Sequence, residues 1–459
     1  MGNVSQNLVA YGASSIISKL APVALLPIMA RALTAEEVGS VALALAIAQV
    51  IVILFTLGIN ISITRTYYDE PERSGATTWA GLLVVQMAFA TALALLMLIA
   101  CRTELMRGVL GDFAGPLSAA TAIGWAMSLQ QGITGVARAA RRANDVLIST
   151  LLQSTVTFGV AMLGLVSNSV DLFLLAMAFG PLGATLYLVI RIRPRPKYGV
   201  SALTSACVLG APFIVHSLAL WGLSLSDRVL IQAFLGSEQV GRYYLLYSIA
   251  TVPLLVFDAV NSVVVPRLMA VDYEQAVKRA IYVSRLWFLA AAVMVIGVNA
   301  LAWPAMLVLN LPPDPENRLI IAIISLVALT RPGYFLLVAL RLHGRRISAV
   351  ATASLVAVVV NIVLNVLLLD AFGLLVAAGS TLAAYAVQLV MVQRRSGLGS
   401  DLRDRTMLAG ALIVVAASVL TVALPPIGLC VSAVSIAGLL AMAATTGEAH
   451  KLRAILRSN

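Results

Sequence analysis

The chain has 459 residues, of which 61% are hydrophobic and 11% are charged, and its net charge is +11. An ordinary soluble domain carries about 25% charged residues, so one large soluble core is excluded. Apolar runs of about 20 residues recur along the whole length, and each can cross a bilayer core as a helix. Transmembrane barrels are excluded too, because their strands alternate in polarity whereas these runs are continuous. The composition therefore predicts an all-α polytopic membrane protein.

Fourteen membrane spans are predicted in chain order. They cover about residues 8–30, 39–64, 77–100, 113–136, 146–166, 171–190, 203–224, 242–265, 280–302, 318–340, 348–369, 372–392, 406–424 and 426–445. The last two are the least certain as a pair, because only Pro425 and Pro426 separate them.

A short motif occurs twice and indicates an internal repeat. Residues 33–39 read LTAEEVG and residues 235–241 read LGSEQVG, a displacement of 202. Adding 202 to the first six spans reaches the next six, and six is an even number. Both copies therefore enter the membrane from the same side, as parallel repeats do. We predict six-helix bundles at 1–197 and 198–397, two further helices at 398–459, and a role for the motif in shaping a helix hairpin.

The distribution of basic residues predicts the orientation. The even-numbered connections and the C-terminus hold 22 Lys and Arg residues, whereas the odd-numbered connections hold 4. The positive-inside rule then places both termini in the cytoplasm. The same rule accounts for the net charge of +11, so the charge does not indicate nucleic-acid binding.

Charged side chains inside the spans are the candidates for function. Each costs about 2.5–3.5 kcal/mol at the centre of a helix, so it must face protein, water or a ligand. The candidates for substrate binding or gating are the cations Lys19, Arg331, Arg285 and Arg228, and the candidates for binding a coupling ion are Asp258 and Asp227. Because cations outnumber acids, an anionic ligand such as a phosphate or pyrophosphate is favoured.

Two alternatives to substrate binding stay open for these charges. Arg228 or Arg331 can pair with an aspartate for purely structural reasons, and Arg285 can extend to the cytoplasmic interface. Asp227 and Arg228 are adjacent on a helix, where neighbours do not face each other, so we expect them to have different partners.

Other chemistry is poorly represented. The three Cys and three His residues have no metal-ligand spacing, and no glycine-rich phosphate loop occurs, so we predict neither a metal nor a cofactor. Asn361 and Asn365 lie one helical turn apart, and we expect them to form interhelical hydrogen bonds, with cavity lining as the alternative.

Several motifs resemble those of one known family. The N-terminal set is Ala30-Arg31-Ala32-Leu33, Glu36-Glu37-Val38-Gly39, Leu57-Gly58 and Arg65. The later set is Asp227-Arg228, Gly236, Val240-Gly241, Tyr243, Asn361, Asn365 and Phe372-Gly373. Over about residues 1–397 this order resembles polysaccharide-biosynthesis flippases of the Wzx type. That family belongs to the superfamily of multidrug/oligosaccharidyl-lipid/polysaccharide exporters, which includes the MATE transporters.

The resemblance implies a function. Such flippases move undecaprenyl-pyrophosphate-linked oligosaccharides across the inner membrane by alternating access, for surface polysaccharide synthesis. The implied partners are this lipid-linked oligosaccharide, membrane lipids, and a polysaccharide polymerase with its chain-length machinery. A cation-coupled multidrug exporter and a lipid II flippase are alternatives within the superfamily. A membrane polymerase or glycosyltransferase is disfavoured, because the connections are too short for a catalytic domain, and so we do not expect an enzyme.

Overall fold

The computed structural model describes residues 2–69, 76–269, 271–343, 348–394, 405–423, 431–432 and 434–436. The helices up to residue 235 are α1 Gly2–Ala32, α2 Ala35–Thr56, α3 Ile59–Asp69, α4 Thr78–Arg102, α5 Glu104–Leu110, α6 Ala114–Ala139, α7 Ala143–Val166, α8 Val170–Ile192 and α9 Val200–Leu235. Those that follow are α10 Ser237–Ala250, α11 Val252–Met269, α12 Tyr273–Ala300, α13 Ala302–Val308, α14 Pro315–Ser325, α15 Arg331–His343, α16 Ser348–Phe372, α17 Leu374–Arg394 and α18 Arg405–Ala423.

These helices confirm the all-α multi-pass prediction. Within the described residues, nine helices are long and apolar enough to cross a membrane, or ten if α10 and the start of α11 form one bent span. The first thirteen predicted spans each overlap a helix, whereas most of the predicted span at 426–445 lies outside the described residues. The count of fourteen therefore stays a prediction.

The repeated motif marks the start of α2 through a capping box. The Glu37 amide donates to Thr34 Oγ1 at 3.3 Å, and Glu37 Oε2 accepts from the Thr34 amide at 2.8 Å. These two bonds satisfy backbone donors that a helix start leaves without partners. Val38 follows and is buried. The first copy of the motif thus begins a helix, in agreement with the predicted hairpin role.

The glycines that end the two motif copies pack against each other. A Cβ atom on Gly39 would overlap the carbonyl oxygen of Ser237, and a Cβ on Gly241 would overlap that of Ala35. Gly39 and Gly241 are 202 residues apart, and so are Ala35 and Ser237. Exchange of the two copies therefore converts one contact into the other, as in a self-complementary contact around a twofold axis. Each copy presents a small residue, three others and a glycine, the spacing that allows membrane helices to approach closely.

Contacts divide the chain into two compact units, Met1–Arg242 and Tyr243–Asn459. Helix α9 belongs to the first unit, in which Trp221 Nε1 donates to the Ala46 carbonyl at 2.8 Å. Gly58, between α2 and α3, has a φ of +66°. It lies so close to Gly210 of α9 that a Cβ atom on Gly58 would overlap the Gly210 backbone. A compact unit and a sequence repeat are different properties, so the bundles at 1–197 and 198–397 stay predictions.

Buried apolar side chains fill each unit. In the first unit, Ile59, Leu83, Ile133 and Leu188 join α3, α4, α6 and α8. In the second, Phe257, Trp287 and Leu336 join α11, α12 and α15. Helix α18 also packs in the second unit, where Asn299 Nδ2 donates to Ser325 Oγ at 3.0 Å and to Ser418 Oγ at 3.3 Å.

The predicted asparagine pair on α16 does form interhelical hydrogen bonds. Asn365 Nδ2 donates to Ser380 Oγ on α17 at 2.7 Å, and Asn361 Nδ2 donates to Thr381 Oγ1 at 3.4 Å. Both asparagines are buried, where an amide without partners would destabilise the fold. This prediction is confirmed.

Candidate functional site

Arg331 lies at a break in the tenth predicted span. Helix α14 ends at Ser325, a 3₁₀ turn covers Leu326–Leu329, and α15 begins at Arg331. Pro332 has no amide hydrogen, so it is tolerated in the first turn of α15 but not within a continuous helix. A 3₁₀ stretch inside a longer helical segment often marks a functional hinge. The sequence thus places a cation at a point of local irregularity within a membrane span.

Two aromatic rings hold the Arg331 guanidinium. Its Cζ atom lies 4.7 Å from the ring centroid of Tyr385 and 5.2 Å from that of Phe335. Both distances fall within the range of about 6 Å over which a cation is attracted to a ring face. Phe335 is one turn along α15, and Tyr385 comes from α17, so the guanidinium joins two helices of the second unit. This pair of contacts orients the planar guanidinium and restricts its rotation.

An acidic group balances part of this charge. Asp258 on α11 interacts electrostatically with Arg331, as do Tyr247 and Tyr334. The Arg331 side chain is half-buried, yet its Nε atom is buried and makes no hydrogen bond to the part of the chain that the structure describes. A guanidinium carries five N–H donors in a fixed plane and suits phosphate and carboxylate oxygens. The Arg331 guanidinium is already charged, so it can bind an anion without first gaining a proton.

A chain of buried polar groups supports the site. Gln388 Nε2 donates to Tyr334 Oη at 3.3 Å and to Ser354 Oγ at 3.0 Å, which links α15, α16 and α17. Tyr334 and Gln388 are 7% and 1% exposed. Because buried polar groups without partners are costly, this chain positions the helix that carries Arg331.

Asp227 and Arg228, in the first unit, form a different kind of pair. Arg228 Nη1 lies 3.4 Å from Asp227 Oδ1 and donates to the Ser224 carbonyl at 3.2 Å. The expectation that the two have different partners is wrong for this contact. Long helical side chains turn back toward the N-terminus of their helix, which brings the guanidinium beside the preceding residue. Both residues are buried, so structural pairing accounts for this contact.

For the other two predicted cations, Arg285 and Lys19, the structure gives less detail. Arg285 is half-buried on α12 in the second unit. Lys19 lies on α1, and its side chain is outside the described part of the structure. Within the second unit Arg331 and Asp258 interact electrostatically, and within the first unit Asp227 and Arg228 form an ion pair.

The aromatic residues of the site were missed in the sequence. Tyr385 is 3% exposed and Phe335 is partly buried, and both resemble ordinary apolar residues of a membrane span. A signal was available, because a tyrosine near the middle of a span carries a hydroxyl that needs a partner. A second missed group is Asp145, whose Oδ1 accepts from Tyr187 Oη at 3.0 Å and from Arg191 Nε at 3.1 Å.

The family described as polysaccharide biosynthesis protein matches residues 4–271. The succinoglycan biosynthesis transport protein ExoT of Rhizobium meliloti (strain 1021) is 27% identical over 294 residues. That match covers 62% of this chain and 58% of the relative, so the chain spans little more than half the length of the relative that it matches.

Two solved structures resemble the fold. The lipid II flippase MurJ in an inward closed conformation has a TM-score of 0.72 and 11% identity, with 95% of this chain and 98% of that chain covered. An inward-facing multidrug resistance transporter of the MATE family has a TM-score of 0.64 and 12% identity, with 87% and 100% covered. At such low identity the likeness shows the fold alone, which this chain shares with these two transporters.

Proposed function

This chain belongs to the polysaccharide biosynthesis protein family, and on that premise we propose that it is a flippase for lipid-linked oligosaccharides. Its substrate is an undecaprenyl-pyrophosphate-linked oligosaccharide, and its product is the same molecule in the opposite leaflet of a bacterial inner membrane. Transport requires no bond to be made or broken, so the protein is not an enzyme. The observation that carries the proposal is the partly buried cation Arg331, with a buried Nε donor, in a chain of this family.

The physical task is to carry a charged headgroup through a membrane. Removing a pyrophosphate from water without replacing its hydrogen bonds is very costly. A guanidinium replaces several of them through charge-assisted bonds, which are stronger than neutral ones. The rings of Tyr385 and Phe335 hold the guanidinium in place before substrate arrives, so little ordering is needed on binding. Arg285 of the same unit is proposed to extend the cationic surface, while the prenyl chain stays in lipid. Lys19 of the first unit stays a separate candidate for binding substrate.

Asp258 gives the substrate site a competing anion. In the absence of substrate it interacts with Arg331, and a bound pyrophosphate competes for the same cation. This exchange allows Asp258 to bind a proton or a sodium ion when its partner is engaged, and Asp227 is the second candidate for that role. Replacement of Asp258 by Asn is expected to remove the dependence of transport on an ion gradient. Unchanged gradient dependence in reconstituted vesicles would assign coupling elsewhere.

The topology completes the proposal. Both termini lie in the cytoplasm, on the side predicted for the basic connections, and parallel six-helix repeats alternate access to the two leaflets. A polysaccharide polymerase and its chain-length machinery are proposed to use the product on the far side. Coupling to them is not needed for transport itself, so purified protein in vesicles is a sufficient system for testing.

The principal test is Arg331→Ala. We expect a strain that carries only this variant to lose most polymer output and to accumulate lipid-linked oligosaccharide on the inner leaflet, because the headgroup loses its main cation. Arg331→Lys keeps the charge but loses the planar donors, and it should restore transport only in part. The matched control is Arg107→Ala, which removes an exposed arginine from α5.

Two results would refute the proposal. Full polymer output from Arg331→Ala at normal protein abundance would remove this residue from the mechanism. A deletion strain that fails to make the lipid-linked intermediate at all would instead indicate a biosynthetic enzyme. A panel of cationic drugs separates the flippase from a multidrug exporter, since a flippase should not alter drug susceptibility.

A further inference from the structure

The basic linker, defined as residues 191–197 at the junction of the two predicted bundles, is attached to the start of α4. The Thr77 amide donates to the Arg195 carbonyl at 2.8 Å, and the Lys197 amide donates to the Thr77 carbonyl at 2.9 Å. Gly81, one turn into α4, packs on the Lys197 carbonyl so closely that a Cβ atom would overlap it. Three backbone contacts thus hold the linker in a defined place, although the charged side chains of Arg195 and Lys197 are exposed.

An apolar groove lies directly beside this linker. Its cavity volume is about 240 Å³, and its walls include Leu82 and Val85 of α4 and Val200 and Leu203 of α9. Lys197 also lines this groove. The groove lies within the first unit, and its walls are mostly apolar. Such a cavity suits a hydrocarbon chain rather than a polar solute.

The two helices that form the groove indicate its level within the membrane. Both α4 and α9 are membrane-spanning candidates, and both begin at this end. Their first turns therefore lie where the acyl chains of a leaflet begin, and the linker lies at the level of the headgroups. Tyr198, which is 65% exposed, is the type of residue that prefers this interface.

The charges beside the groove are available to a ligand. Arg191 is engaged by Asp145 at 3.1 Å. By contrast, Arg193, Arg195 and Lys197 are exposed and form no ion pair within the described ranges of the chain. A cluster of basic residues at the membrane surface attracts anionic lipids, and each residue contributes about 1 kcal/mol to the free energy of binding.

We propose that this groove is a binding site for one anionic glycerophospholipid, with an acyl chain between α4 and α9 and its phosphate against Lys197 and Arg195. Phosphatidylglycerol has this chemistry. The lipid would stabilise the linker against the start of α4, and so stabilise the junction between the repeats. The residues that line this groove are not among those that contact Arg331, so the proposed lipid site shares no residue with the proposed substrate site.

The test measures lipid bound to the purified full-length protein. Native mass spectrometry after incubation with phosphatidylglycerol or with phosphatidylcholine of the same acyl chains gives the two apparent Kd values. We expect the wild type to bind one phosphatidylglycerol in preference to phosphatidylcholine. The double variant Arg195→Gln/Lys197→Gln should weaken that binding by about 10- to 30-fold and remove the preference. Ala202→Trp, which fills the groove, should reduce the binding of both lipids.

Two further variants keep the test decisive. Arg138→Gln/Arg141→Gln removes the same charge from the exposed end of α6 and the following turn, and it should leave the preference intact. Val200→Asp, at a position 83% exposed, makes the groove entrance polar without a change in packing, and it replaces Ala202→Trp if that variant does not fold. An equal loss in the Arg138/Arg141 control would mean diffuse surface attraction and overturn the site. Normal binding with the groove blocked would overturn it as well, and so would complete displacement of phosphatidylglycerol by equimolar undecaprenyl phosphate.

Discussion

The contact between Gly39 and Gly241 and the site around Arg331 differ in how they use the internal repeat. The glycine contact uses equivalent positions of both copies, and Gly39 corresponds to Gly241. The carbonyl groups that these glycines meet belong to Ser237 and Ala35, which are also 202 residues apart. The Arg331 site has no counterpart. The positions equivalent to Arg331, Phe335 and Tyr385 hold Leu129, Ile133 and Gly183, and those equivalent to Tyr247, Asp258 and Tyr334 hold Leu45, Thr56 and Gly132.

The repeated glycines serve the architecture of the fold, whereas the Arg331 site serves substrate binding in the proposed function. A self-complementary contact needs matching residues on both sides, so sequence symmetry at the glycines is required by geometry. A substrate with one charged headgroup does not have that symmetry, and one cation with one set of rings is sufficient for it. Substitutions at the recurring glycines should therefore affect stability, whereas substitutions of the residues around Arg331, which do not recur, should affect transport.

The largest expected effect comes from Gly241→Ala. A single methyl group would overlap the Ala35 carbonyl, so the helices must separate, and overpacking of this kind costs about 1–3 kcal/mol. We expect the thermal unfolding midpoint in detergent to fall by several degrees. Gly39→Ala should have the same effect, and the double variant should cost less than the sum because both remove one shared contact.

The control for these variants is Gly159→Ala. A Cβ atom at Gly159 of α7 would meet no atom within 4 Å, so this change should leave the midpoint unchanged or raise it. If Gly241→Ala unfolds at the same temperature as Gly159→Ala, the contact is not important to the architecture and the comparison fails.

A smaller effect, on transport alone, is expected from Tyr385→Leu. The change removes the ring that lies 4.7 Å from the Arg331 guanidinium. A partly desolvated contact of this type is worth about 0.5–2 kcal/mol, so transport should fall between about twofold and thirtyfold. Tyr385→Phe keeps the ring and should retain most activity. Equal losses in both variants would assign the effect to the hydroxyl and not to the ring, as measured by lipid-linked oligosaccharide transport in vesicles.

The smallest expected effect is that of Thr34→Ala, which tests a difference within the repeated motif. Thr34 caps α2, whereas its counterpart Gly236 has no side chain and a φ of +85°. Loss of the cap should cost about 1 kcal/mol and lower the unfolding midpoint slightly, with transport unchanged. A transport defect at normal stability would mean that this motif copy acts in the cycle and not only in folding.

Much of the fold was accessible from the sequence because lipid imposes simple requirements. Long apolar runs must be helices, since the backbone has no other way to satisfy its hydrogen bonds in hydrocarbon. Thirteen predicted spans overlap helices for this reason. The helix breaks within spans were harder to predict. Leu57 and Thr251, which mark two of them, lie in apolar runs whose hydropathy does not change at the break. Prolines indicate some of the breaks, as Pro253 does close to the 54° bend between α10 and α11.

The site was accessible only in part. Arg331 and Asp258 were identified because a charge in a membrane span is costly and therefore informative. Tyr385 and Phe335 were not, because a buried ring gives no sign of what it faces. The contact between Arg228 and Asp227 was also missed, since ideal helix geometry ignores the reach of a long side chain.

The sequence by itself determined the membrane class, the internal repeat, the family resemblance and the list of charged candidates, because these depend on composition and spacing. Tertiary structure alone decided that Gly39 meets Gly241, that Tyr385 and Phe335 enclose Arg331, and that the basic linker lies beside an apolar groove. Each of these contacts joins residues about 100 or more positions apart or depends on a rotamer. Local pattern carries no information about which distant surfaces pack together, and packing is what places a charge where it can act.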